Sequence, residues 1–236
     1  RQWQKLRTLE TIRDYYDAVW IYGDARLYDT ARAYNIAAAN KPITYLGYPD
    51  PLLREERHAP SNEAPYALCL LGGGQDGYAL AEAFARTTLP DGWRAILLTG
   101  AMMPAAERAQ LAAILADRPD YQLLEFTPEP LALMRGARAI IAMSGYNTTL
   151  ELLALNAPML LVPRIKPRRE QWLRAVRLAE LGLADCLHPD ELSPARLSAW
   201  LADARPRKTA RDRLDFNGLE HINRETLALL TQGKHP

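Results

Sequence analysis

From residue 65 onward, short unbroken apolar runs alternate with amphipathic stretches, and no other feature limits the fold as tightly. The runs are PYALCLLG (65–72), WRAILLTG (93–100), YQLLEF (121–126), ARAIIAMS (137–144), PMLLVP (158–163) and ADCLH (184–188). Helix candidates lie between them, near 77–87, 105–117, 129–136, 147–156 and 168–181. A strand that is apolar throughout needs cover on both faces, and helices crossing between parallel strands supply it. The pattern predicts an α/β chain with a Rossmann-like, doubly wound parallel sheet of about six strands. A TIM barrel needs eight such units and is disfavoured.

The ends read differently. Residues 1–48 carry a helix near 3–17, a strand AVWIYG (18–23), a short helical stretch near 28–35 and a strand PITYLGY (42–48). This is too little for a domain of its own, and it reads as the tail end of a mostly absent N-terminal domain. PDPLLREERHAPSNEAP is polar and proline-rich, so 49–64 reads as a linker. The nucleotide-binding domain is expected over 65–217 and a C-terminal helix over 218–236, with a further helix at 189–203.

A net charge of +1 argues against a general polyanion-binding role, so no nucleic-acid partner is expected. The basic residues are unevenly placed, however. RIKPRREQWLRAVR (164–177) holds six Arg or Lys against one Glu, and RPRKTARDR (205–213) holds five against one Asp. Cys69 and Cys186 sit in apolar runs and read as buried reduced thiols, not a disulfide framework or a zinc site. No apolar run is long enough to span a bilayer and no secretory signal is present. A cytoplasmic location follows as the expectation, with peripheral membrane contact at most.

Three features sit at the C-terminal ends of the predicted strands, the rim where open parallel sheets bind ligands. In LLGGGQDGYALAEAF, Gly72, Gly74 and Gly77 match G-x-G-x-x-G between a strand and a helix. Such a loop lets backbone amides approach a phosphate. A dinucleotide site also needs an acid about 20 residues on, and the second strand ends Leu97-Leu98-Thr99-Gly100 without one. That leaves a phosphate-facing loop, with a ligand-free turn as the structural alternative.

The second feature is the elbow Ser144-Gly145-Tyr146-Asn147-Thr148, followed by a helix carrying Glu151. Amides at a helix start favour an anion, and a carboxylate one turn inside favours hydroxyl donors. Thr148-x-x-Glu151 also fits a capping box, in which the two side chains only satisfy orphan amides. The third feature follows the fifth strand of this domain. Arg164, Lys166, Arg168 and Arg169 lie in a loop or first helical turn, where cations oppose the helix dipole unless an anion is present. Glu170 and Gln171 come next, within reach of hydroxyls. Arg174 and Arg177 read as surface residues.

Together, SGYNTTLELL, PRIKPRREQ with AELGLAD, and the glycine loop resemble the donor-binding C-terminal domain of GT-B glycosyltransferases. The likeness is strongest to the family 28 group, similar to the peptidoglycan N-acetylglucosaminyltransferase and to bacterial predicted glycosyltransferases. It covers roughly residues 42–200. The resemblance implies a nucleotide-sugar donor, UDP-linked, as substrate and no separate cofactor. Gly73, Gly74 and Gln75 would face the diphosphate, as would Ser144 and Gly145 with Asn147 and Thr148 beside them. Glu151 would hold the ribose, and Glu170 with Gln171 the sugar. Arg164 would stabilise the leaving group, and the resemblance calls for no metal. Tyr146 and Asn147 stand where the family usually has a small residue, and the sugar-contact loop is unusually basic.

The resemblance also implies that the general base and the acceptor site belong to an N-terminal acceptor domain or to a partner chain. The chain alone is then expected to be inactive, with its C-terminal helix crossing back to the acceptor domain. His58, His188, His221 and His235 read as incidental. Two other readings remain: a non-catalytic donor-binding subunit that pairs with a separate acceptor-binding chain, and a nucleotide-sugar epimerase or hydrolase on the same fold.

Overall fold

The computed structural model describes residues 7–53, 64–167, 169–205 and 210–232. Most of the 49–64 linker therefore lies outside the described residues, as do Arg168, His58 and His235. The chain divides into two compact units, Arg1–Pro51 with Arg211–Pro236, and Leu52–Ala210.

In the first unit, α1 (Thr8–Tyr15) precedes β1 (Val19–Tyr22), and α2 (Thr30–Ala33) precedes β2 (Ile43–Gly47). The two strands pair in parallel, with Val19 opposite Ile43. The C-terminal helix α9 (Gly218–Gln232) packs on β2. Its start is pinned by backbone bonds from the Tyr48 amide to the Asp215 carbonyl (2.7 Å) and from the Gly218 amide to the Tyr48 carbonyl (3.0 Å). A Cβ at Gly218 would stand 2.6 Å from the Tyr48 carbonyl carbon, so only glycine permits this approach. His221 Nδ1 sits 3.0 Å from the Leu46 carbonyl oxygen, which gives it a structural role in this unit.

The second unit holds a six-stranded parallel sheet. Its strands are β3 (Tyr66–Leu70), β4 (Arg94–Leu98), β5 (Tyr121–Leu124), β6 (Ala139–Ala142), β7 (Met159–Leu161) and β8 (Asp185–Cys186). They run side by side in the order β5-β4-β3-β6-β7-β8. The intervening helices are α3 (Tyr78–Ala85), α4 (Ala105–Leu115), α5 (Pro130–Gly136), α6 (Tyr146–Leu155), α7 (Glu170–Glu180) and α8 (Pro194–Ala202). Strands β3, β6 and β7 are buried along their whole length, as continuous apolarity predicts, and β4 is buried from Ala95 onward. The edge strands β5 and β8 are only partly buried.

One apolar layer of the core lies under α3, α4 and α8. It contains Phe84, Leu97, Leu111, Ile141 and Leu197, all fully buried. Tyr121 meets Phe84 edge to face at 5.8 Å between ring centroids. Arg118 stacks over Tyr121 and ties the carbonyls of Ala85, at the end of α3, and Thr87 just beyond it, at 2.7 Å each. One predicted helix is broken: 189–203 is a 3-10 turn (Pro189–Glu191) followed by α8. The break follows from the second proline, Pro194, which begins a new helix with Ser193 as its cap.

This strand order fixes where a ligand can go. The chain winds outward through β4 and β5, then returns so that β6 lies on the other side of β3. The two strands that part company at this switch point are β3 and β6. Their C-terminal ends carry the glycine loop and the elbow.

Candidate functional site

β3 and β6 pair in register from Ala67 opposite Ala139 to Leu70 opposite Ala142, so their exits are level. A cleft of about 300 Å³ opens at this rim. Gly72 and Gly73 form one wall, and Thr148 with Glu151 of α6 forms another. The far side is mostly apolar, with Met102 from the β4 loop, Phe126 from the β5 loop, and Pro130 and Met134 from α5, and Glu125 and Thr127 flank Phe126 there. A mainly apolar slot with a few convergent polar groups is the usual form of a small-molecule site.

The glycine loop divides into two parts. Gly74 is buried with φ +95, and a Cβ there would lie 2.4 Å from the Thr99 carbonyl oxygen. Gly100 answers it from the β4 loop, where a Cβ would lie 2.2 Å from the Gly72 carbonyl oxygen. These two glycines interlock the loops, and the Gly74 amide is already bonded to the Leu71 carbonyl. Gly72 and Gly73 face the cleft. Their amides, with those of Gln75 and Asp76, donate to no acceptor among the described residues. Gln75 is exposed and does not line the cleft.

At the elbow, the structure rules out the capping box. Helix α6 begins at Tyr146 with Gly145 as its N-cap, and no side chain caps it. Glu151 is thus the sixth helical residue, too deep to reach back to the cap. It is 9% exposed and turned to the cleft wall, where a buried carboxylate can accept hydroxyl hydrogen bonds. Asn147 and Thr148 supply first-turn amides that no carbonyl of the same helix can reach. The Oγ atoms of Ser144 and Thr149 are buried and find no hydrogen-bond partner among the described residues. Buried polar atoms are ordinarily satisfied, so two orphans beside one helix start mark a place where water or a ligand completes the bonding.

The basic stretch is more committed than its composition suggests. Arg164 forms an ion pair with Asp76 of the glycine loop, and its backbone amide donates to Gln171 Oε1 at 3.2 Å. The Arg164 Nε is buried and has no partner among the described residues. Arg174, which reads from the sequence as a surface residue, is in fact a strut. One of its nitrogens donates to the Ser144 carbonyl at 2.7 Å and the other to Glu170 Oε1 at 2.6 Å, and its guanidinium lies 5.5 Å from the Tyr146 ring centroid. Its side chain is only 16% exposed. Glu170 is therefore paired and Gln171 holds a loop, while Lys166 and Arg169 are exposed and form no ion pair among the described residues. Arg177 pairs with Glu180 at 2.8 Å on the outer face of α7.

Sequence reasoning passed over Asp76 and assigned Arg174 to the surface. Asp76 had a signal, since an acid inside a phosphate-facing glycine loop runs against the expected charge. His188 stacks edge-on against Trp172 at 4.8 Å, away from the cleft lining. Cys69 is fully buried, and burial pushes its thiol far above the ordinary range. Among the described residues no group of three His, Cys, Asp or Glu could hold a metal ion, and no helix is long and apolar enough to cross a membrane.

Residues 70–216 match the family model described as the glycosyltransferase family 28 C-terminal domain. Among curated proteins, the chain is similar to the UDP-N-acetylglucosamine--N-acetylmuramyl-(pentapeptide) pyrophosphoryl-undecaprenol N-acetylglucosamine transferases of Klebsiella pneumoniae and Methylorubrum extorquens. It is 24% identical to the first over 140 residues (59% of this chain, 39% of the relative), and 31% identical to the second over 156 residues (62% and 42%). The chain thus spans about two fifths of the length of these relatives. Among solved structures it resembles CalG4, the calicheamicin glycosyltransferase, with a TM-score of 0.67 and 21% identity, covering 94% of this chain and 56% of that one. It also resembles MurG of Acinetobacter baumannii, with a TM-score of 0.62 and 17% identity, covering 94% and 79%. At these identities the structural likeness establishes the fold, that of the Rossmann-like half of the GT-B architecture.

Proposed function

The chain belongs to the glycosyltransferase family 28 C-terminal domains, and on that premise we propose that it is the donor-binding half of an enzyme moving a sugar from a UDP-linked donor to an acceptor. The observation that carries this reading is the convergence at one switch-point cleft of three different chemistries. An apolar slot suits a planar base, the buried Glu151 carboxylate suits vicinal hydroxyls, and two sets of uncommitted amides suit a diphosphate.

In this arrangement the nucleobase lies among Met102, Phe126 and Met134, and Glu151 accepts hydrogen bonds from the ribose. The diphosphate lies against the amides of Gly72 and Gly73 and the start of α6. When the acceptor hydroxyl attacks the anomeric carbon, the bond from that carbon to the diphosphate oxygen breaks and negative charge grows on the leaving group. Fixed amide dipoles meet that charge without reorganising, while Arg164 stands nearby already paired with Asp76. The base that takes the acceptor proton is proposed to come from the acceptor side, in an N-terminal domain or a partner chain.

The test is calorimetric titration of the chain with UDP, beside UMP, GDP and NADH, repeated on Glu151→Ala. Selective UDP binding, weakened by about 1–3 kcal/mol in the variant, is the expected result for a lost hydrogen bond to a charged group. A folded wild-type chain with equal affinity for all four, or an unaffected Glu151→Ala, would sink the reading.

A further inference from the structure

The acid in the glycine loop has no place in the scheme above. Asp76 precedes the start of α3 in a loop whose amides face the proposed diphosphate, so its charge opposes that ligand. Its partner Arg164 leaves the far side of β6, from the loop after β7. The pair therefore joins the loops that flank the elbow on both sides. Arg164 is held from behind by the bond from its amide to Gln171 Oε1. Its Nε, buried and unpartnered among the described residues, is a donor still to be used. Both charged side chains are partly open to solvent, 35% for Arg164 and 46% for Asp76, so an incoming ligand can reach them.

We propose that Asp76 is a specificity-determining residue of the phosphate site. By neutralising Arg164 it limits the negative charge the site accepts, favouring a diphosphate esterified at both ends over the free nucleoside diphosphate left after transfer. The proposal rests on the donor-binding reading. In a nucleotide sugar each phosphate carries one negative charge. On transfer the terminal phosphate leaves with the electron pair of the broken bond and so carries a second negative charge, which it keeps above a pKa of about 6, as phosphate monoesters do. The extra charge appears on the phosphate farthest from the nucleoside, which on this proposal is the one that meets the Asp76–Arg164 clasp just beyond the cleft lining. With the pair intact the clasp is neutral and gives that charge no reward. Without Asp76 the guanidinium alone would hold the product.

Four forms of the protein make a charge ladder at the clasp: the wild type at zero, Asp76→Asn at plus one, Arg164→Ala at minus one, and the double variant at zero again. The probes are UDP and its terminal-phosphate methyl ester, which has one ionisable proton fewer and carries no sugar. Titration calorimetry at pH 8 reads the affinity ratio of the two. The ratio is expected to shift toward UDP by about three- to tenfold in Asp76→Asn, consistent with a partly exposed ion pair. It should shift away from UDP in Arg164→Ala and return near the wild-type value in the double variant. At pH 5, where UDP keeps its proton, the four ratios should converge. Thermal unfolding confirms that each variant is folded.

If UDP binds and the ratio is the same in all four forms, Asp76 only ties two loops and the proposal is overturned while the donor reading stands. If neither probe binds the folded wild type, the donor reading fails and this proposal fails with it.

Discussion

At the scale of single residues, the glycines near the cleft differ in what they do. Gly100 has φ +86 and no room for a Cβ, being walled by the backbone of Gly72 and Gly73. Gly100→Ala should cost about 3 kcal/mol or more, from left-handed strain and a backbone clash that no rotamer relieves. Gly145 is the opposite case. Its φ of −66 suits any residue, and a Cβ would meet nothing within 4 Å. Gly145→Ala should therefore lose only about 1 kcal/mol, the cost of a poorer helix cap. It should nonetheless weaken UDP binding, because the methyl group would stand where the ligand approaches the first amides of α6. Denaturant unfolding and calorimetry on the two variants separate these effects. A Gly145→Ala protein that binds UDP as the wild type does would remove the elbow from the phosphate site.

At the scale of elements, α7 is fastened to the elbow by one side chain. Arg174 joins the Ser144 carbonyl, the Glu170 carboxylate and the Tyr146 ring, so it fixes how the start of α7 sits against the start of α6. Arg174→Ala should lower stability by about 1–2 kcal/mol and also weaken UDP binding, although Arg174 does not line the cleft. Arg174→Lys should not restore either, since an ammonium cannot serve two acceptors in the forked geometry. If Arg174→Ala left UDP affinity unchanged, the strut would be irrelevant to the site. Such a link is hard to read in a sequence: the acceptor is a backbone carbonyl 30 residues away, and any residue type supplies one. The Asp76–Arg164 pair, 88 residues apart, is hidden for the same reason. The sheet was legible because β3, β6 and β7 are buried on both faces and so must be apolar at every position. Glu151 was ambiguous because its spacing from Thr148 suits a capping box. Only the true start of α6, at Tyr146, takes Glu151 out of the cap.

At the scale of the whole molecule, the two units carry groups that limit stability from opposite ends of the pH range. In the first unit Asp24 is buried, which by itself would raise its pKa. The bonds from the Arg26 side chain (2.5 Å to Oδ2) and from its amide (2.8 Å to Oδ1) outweigh that effect and hold it below the ordinary carboxylate value. A depressed folded pKa means stability that is present above the unfolded value near about 4 and is lost as pH falls through the folded one. In the second unit burial pushes the Cys186 thiol up to about 11 and the Cys69 thiol further still. A raised folded pKa gives the opposite sign: the contribution is whole below the unfolded thiol value near about 8.5 and fades as pH rises beyond it. Burial also raises Tyr121, which adds to the same alkaline limb. Stability should therefore hold level between about pH 5 and 8 and fall on either side. Asp24→Asn should flatten the acid limb only, and Cys69→Ala the alkaline limb only, with a small uniform loss for the vacated sulfur. Urea midpoints from pH 3 to 10.5 check both. An alkaline limb as steep in Cys69→Ala as in the wild type would show that the buried thiol does not set it, and would pass that role to Cys186 and Tyr121.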